Sequence, residues 1–223
     1  MFLFYIVIGI SQAIIGGGGG AASDVAGRLA GMAKHSAQVQ ANALLGLAMA
    51  FTALTLAVTL YGLTRDEDHE LAVLALSFRL GEGIFGALPT LLSLTLLSLA
   101  NGSAPVTASE AAVAASFFRA RSLAPLIGSI FFAFGSTIFS YLFVKGRLVP
   151  LFLAWLGVVA SLLLVLTLPL QLVGVLTGAV TQVVWVPMAA FEIPLGIWLL
   201  FLGVNVSASA HPRDSSPTRS PGS

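Results

Sequence analysis

From Asn42 to Val204 the chain offers one membrane-length apolar run after another, with few charges inside them. Runs of about 18 or more such residues read as membrane-spanning helices. This pattern constrains the fold more than anything else in the sequence. Composition agrees: 57% of the 223 residues are hydrophobic and 9% are charged. Soluble domains carry roughly 25% charged residues. The expected fold is an all-α polytopic transmembrane bundle of six spans.

The first apolar segment, Phe2 to Ile15, runs into five glycines, Gly16 to Gly20. They do not make a phosphate loop, since Ala21, Ala22 and Ser23 follow where Lys and Ser/Thr are needed. A dinucleotide loop would need a βαβ unit around it. The glycines read as the end of the first helix, because so many cannot hold helix. The competing reading is a signal peptide cleaved near Ala22. It lacks its charged leader, as no Lys or Arg precedes Arg28. A retained helix is expected, and a start placed too far downstream fits its bare N-terminus.

Asp24 to Gln40 is a polar connection in which Asp24 can cap a short helix. The second span is predicted over 42–63, followed by the acidic link "TRDEDHE" at Thr64 to Glu70. The third covers 71–100. Next, Thr107 and Glu110 have capping-box spacing, and Phe117, Phe118, Arg119 and Arg121 suit a short interfacial helix between spans three and four. The fourth span covers 123–144, the turn "KGRLVP" runs from Lys145 to Pro150, and the fifth covers 151–170. A glycine-containing stretch, Leu172 to Val180, precedes the sixth at 182–204. Residues 1–204 form one transmembrane domain, and 205–223 has the Ser/Pro-rich composition of a disordered tail.

Six spans put both termini on one side of the bilayer. Basic residues are divided almost evenly between the two sides, and the tight "KGR" turn at Lys145 tips the termini toward the cytoplasm. The sequence contains no cysteine, which removes disulfides, thiolate metal sites and cysteine nucleophiles. The three histidines, His35, His69 and His211, fall in connections or the tail, without metal-ligand spacing. No metal, no cofactor and no catalytic residue is assigned. A net charge of +1 points away from nucleic acid and leaves the lipid bilayer as the partner.

Charges inside the spans carry the functional information. Arg79 and Glu82 are three residues apart and share a helix face. Counted at 1.5 Å per residue, Arg79 lies about 12 Å deep, Glu82 about 16 Å, and Glu192 about 18 Å from the same side. They can meet only if the third and sixth spans are neighbours. Pro89 and Pro194 free the carbonyls of Phe85 and Ala190 beside them, so both helices can bend. Buried charge is expensive in a bilayer and marks a functional candidate. The structural reading is an ion pair with a neutral acid that fixes helix assembly. The functional reading uses the residual negative charge of the trio for proton-linked transport. Ser77 and Ser93 are candidate nucleophiles for an intramembrane enzyme acting on a lipid-like molecule, but no embedded His or Lys supplies a base.

The stretches "SFRLGEGIFGALPTLLSL" (Ser77 to Leu94), "IGSIFFAFGSTIFSYLFVKGRLVPLFLAWLGV" (Ile127 to Val158) and "FEIPLGIWLLFLGV" (Phe191 to Val204) resemble the bacterial family domain of unknown function 4386. The likeness rests on Arg79 and Glu82 in the third helix, the basic turn before Pro150, and Glu192 ahead of Trp198 to Leu200. It runs from about Asp24 to Val204. The resemblance implies a six-helix protein of the bacterial cytoplasmic membrane, and no particular reaction. The glycine run and the missing basic residue before the first helix depart from the family pattern.

The resulting expectation is a multi-pass membrane protein of unknown activity, non-enzymatic, whose Arg79/Glu82/Glu192 cluster organises the bundle. A small proton-linked transporter or permease subunit is the alternative, and its mark would be a cavity reaching Glu82 or Glu192. An intramembrane enzyme comes third.

Overall fold

A computed structural model of the protein describes residues 24–102 and 106–201. The predicted first span, the glycine run and the tail lie outside the described residues. Every regular element among them is helical: α1 (Val25–Lys34), α2 (Ser36–Thr64), α3 (His69–Ala100), α4 (Ala108–Gly146), α5 (Leu151–Leu172), α6 (Val180–Val183) and α7 (Val186–Phe201). Five helical segments are long and apolar enough to cross a membrane: α2, α3, α4, α5, and α6 with α7 taken together. The protein is a multi-pass membrane protein.

Helix starts follow the polar residues that cap them. Asp24 accepts a hydrogen bond from the Gly27 N–H at 3.1 Å and opens α1. Asp68 does the same for α3, accepting from Leu71 at 3.2 Å. Thr107 and Glu110 form a reciprocal capping box at the head of α4. Each satisfies donors that the first helical turn leaves without a partner.

α2 starts at Ser36, six residues before the predicted 42, and two further boundaries differ from expectation. The first is in α4. The segment from Thr107 to Arg121 is not a separate interfacial helix, because α4 runs unbroken for 39 residues through Pro125. Ala, the best helix former, is the commonest residue in this stretch, and packed neighbours can satisfy the group that Pro125 frees. At 1.5 Å per residue α4 is about 58 Å long, nearly twice the hydrocarbon thickness. Its N-terminal turns therefore project past the bilayer core. The second difference is in the last span. A break at Val184 and Trp185 separates α6 from α7. Before it, Gly174 and Gly178 turn the chain with φ of 78° and 74°, which side chains resist.

Consecutive helices pack as antiparallel neighbours: α2 on α3, α3 on α4, α4 on α5, and α5 on α7. The main core runs along these seams. α1 covers the projecting end, where Leu29 and Met32 meet Leu96, Leu97, Ala114 and Phe118 in a second, smaller core. There the Arg28 guanidinium lies 3.7 Å from the centre of the Phe118 ring. At the opposite end Lys145 donates to Asp68 at 2.9 Å, tying the end of α4 to the start of α3. α4 then ends on Arg147 in the left-handed region, φ 50°.

Close helix approach depends on Gly157 of α5. A Cβ there would stand 2.5 Å from the Phe191 ring and 2.6 Å from the Ser140 hydroxyl. Gly157→Ala is expected to cost about 1–3 kcal/mol by overpacking, whereas Gly31→Ala, facing open space, is not. Thermal unfolding of the two variants in detergent checks this. At the Lys145 end, that side chain's hydrogen bond and the Leu71 N–H hold the Asp68 carboxyl below its ordinary pKa. A depressed carboxyl stabilises fully above its unfolded value, about 3.9, and loses that contribution as pH falls through the lower folded value. The melting gap between the parent and Asp68→Asn should therefore be present at neutral pH and close below about pH 4.

Candidate functional site

α3 presents Arg79 and Glu82 on one face, and their side chains touch. Arg79 Nη1 lies 2.8 Å from Glu82 Oε2, with the two side chains only 2% and 8% exposed. Neighbouring α4 is shaped to receive the arginine. Gly135 leaves room for its stem, since a Cβ there would come within 3.1 Å of the Arg79 Cγ and Cδ. One turn earlier, the Phe132 ring offers its face to the guanidinium, 4.8 Å from centroid to Cζ. A cation over an aromatic face gains most where water is excluded. Charge, ring and glycine together hold the side chain in one place.

Glu192 of α7 does not join this pair. Among the described residues, the ion pairs within 4 Å are Arg65 with Asp66, Arg79 with Glu82, and Lys145 with Asp68. α3 and α7 are not packed neighbours; α7 leans on α5 instead. Arg79 and Glu192 do line a common void of about 10 Å³, beside Ser136 and Met188. That is about one water's worth of space. Glu82 and Glu192 also share a larger cavity of about 310 Å³. It lies between α2, α3, α4 and the α6–α7 break, with Met49, Pro89, Pro125, Phe132 and Trp185 in its wall. The three predicted residues therefore do converge, but as a locked pair and a half-buried acid across a cavity.

The two prolines play different parts. Pro89 lines the cavity, and its carbonyl accepts from Ser93 Oγ at 2.6 Å. Pro194 lies exposed inside α7, outside the cavity lining. Ser77 is exposed and donates to the Val73 carbonyl at 2.9 Å. Neither serine has a basic partner among the described residues. No cluster of three or more His, Asp or Glu side chains able to hold a metal occurs among the described residues. A wider groove of about 690 Å³ at the outer end of α3 and α4 includes Glu110, whose carboxylate is already engaged in the capping box.

Phe132, Gly135 and Trp185 were not singled out as site residues by the sequence. Trp185 meets Phe132 at 6.1 Å between ring centroids on the cavity wall. The helical spacing of Phe132 and Gly135 is visible in "FFAFG"; which neighbour they face is not.

The family model described as domain of unknown function 4386 matches residues 1–203. The chain belongs to this family. No curated protein and no solved structure matches it. For this member of the domain of unknown function 4386 family, membership brings no activity with it, and the site has to be judged on its geometry.

Removing one partner of a buried ion pair leaves the other uncompensated, at about 3–5 kcal/mol. Arg79→Met and Glu82→Gln are each expected to be destabilising on that scale. The double variant should recover part of the loss, while Glu192→Gln should melt close to the parent. Thermal unfolding across the cycle reads the coupling.

Proposed function

We propose that this protein is a small proton-linked carrier or permease subunit of the bacterial cytoplasmic membrane, in which Glu192 is the exchangeable acid. The observation that carries this reading is the cavity of about 310 Å³ into which Glu192 opens. Arg79 and Glu82 then have a separate task. Held by that pair, Arg79 seats against Phe132 and Gly135, which registers α3 against α4 around the cavity.

One guanidinium against two carboxylates leaves a single negative charge inside the membrane. Such a charge is costly at mid-bilayer. A proton on Glu192 removes it, and so does a cationic ligand. This alternation is the minimum a proton-linked carrier needs, because each occupant displaces the other. The basic turn at Lys145 and Arg147 supports a cytoplasmic position for that end. The reading assigns no covalent chemistry, and both serine hydroxyls considered for it are engaged by backbone carbonyls.

Proteoliposomes with a trapped pH dye test this. An external acid pulse should acidify the lumen faster than in protein-free liposomes, and Glu192→Gln should return the rate to the protein-free level. Equal rates for parent and variant would remove Glu192 from any proton-exchanging role.

A further inference from the structure

The cavity's chemistry also specifies what it takes besides a proton. We propose that it binds an organic monocation with an apolar body, its positive end against Glu192 and its body between Phe132, Trp185 and Met49. This rests on the reading of Glu192 as the exchangeable acid.

Charge selects the sign. Arg79 is already paired with Glu82 and packed against the Phe132 face and Gly135, so its one positive charge leaves one carboxylate charge over. Among the titratable groups lining the two cavities, Arg79 and Glu82 are the ones that accompany Glu192. α2 and α4 contribute only uncharged side chains to these walls, among them Met49, Ser129 and Ser136. An anion would face two carboxylates. A neutral guest would leave the residual charge unbalanced in a poor solvent for it.

The walls select the body. Phe132 and Trp185 supply aromatic surface, to which organic cations are drawn through the ring quadrupole. Met49 adds a soft, adaptable contact. A hard divalent metal wants six or more oxygens, and no three His, Asp or Glu side chains converge among the described residues. At about 310 Å³ the cavity is at the small end of ligand pockets, which span roughly 300–1,000 Å³.

Trp185 supplies the reporter. In a chain carrying Trp155→Phe and Trp198→Phe, its emission is followed while the purified protein is titrated with benzyltrimethylammonium. Neopentylbenzene, the uncharged analogue of the same shape, benzoate and sodium chloride serve as comparisons. The expected result is a saturable change with benzyltrimethylammonium alone. Its apparent affinity should fall as the pH is lowered, and Glu192→Gln should weaken it by roughly tenfold or more. Met49→Trp, which fills the cavity but keeps the acid, should also block it and guards against misfolding of the Glu192 variant. A saturable response of equal affinity in Glu192→Gln, or an equal response to neopentylbenzene, overturns the proposal in favour of a merely apolar void. A response to sodium alone overturns it in favour of an inorganic ion. If no response appears while Glu192-dependent proton flux persists, the cation fails and the proton reading stands. Cation binding without that flux sinks the carrier reading and leaves a binding site.

Discussion

A guanidinium that cannot reach water has to be neutralised where it stands, and Arg79 meets that requirement at the centre of the bundle. Its charge is balanced by Glu82 on its own helix, 2.8 Å away. Its stem and ring contact come from the next helix, through Gly135 and Phe132. The constraint is therefore shared between α3 and α4, and it fixes their rotation and height relative to each other. A slip of one residue would carry Gly135 out from under the arginine and put a side chain in its place. Apolar packing alone specifies register weakly in a membrane, since lipid tails are as good a neighbour as leucine. A buried charge with a shaped receptacle does so strongly.

The contrast with Glu192 follows from the same physics. Arg79 can compensate one carboxylate closely, and the i,i+3 neighbour on its own helix has the advantage of being fixed beside it. The second carboxylate arrives from α7, which packs on α5. It shares a void of about 10 Å³ with Arg79 and the larger cavity with Glu82. A cluster that looks like one unit when depths are counted along helices thus divides into a fixed part and an adjustable part.

How much of this is legible in the sequence depends on the range of the interaction. Caps act over three residues, so Asp24 and the Thr107/Glu110 box could be read directly. The Arg79–Glu82 pair is equally local. The unbroken α4 was not legible, because whether Pro125 ends a helix depends on what surrounds it rather than on the proline itself. The roles of Phe132, Gly135 and Trp185 were hidden for a related reason. Each acts on a residue of another helix, and no local pattern names that partner. Counting depth put Glu192 near the level of the pair, but said nothing about the cavities they line.

The order in which the helices pack has a consequence for how the protein is made. Each span from α3 to α5 leans on the one before it in the chain, so each finds its partner already in the membrane as it leaves the ribosome. α7 also leans on the span before it, α5, and in doing so it completes the cavity. Until α7 docks through Phe191 against Gly157, Glu192 and Trp185 are not yet in place, and the wall they form does not exist. The acid cavity therefore forms only once α7 has joined the helices that precede it. A chain interrupted late leaves behind a well-packed bundle that already contains its buried arginine, but not the chamber that gives the second glutamate something to face.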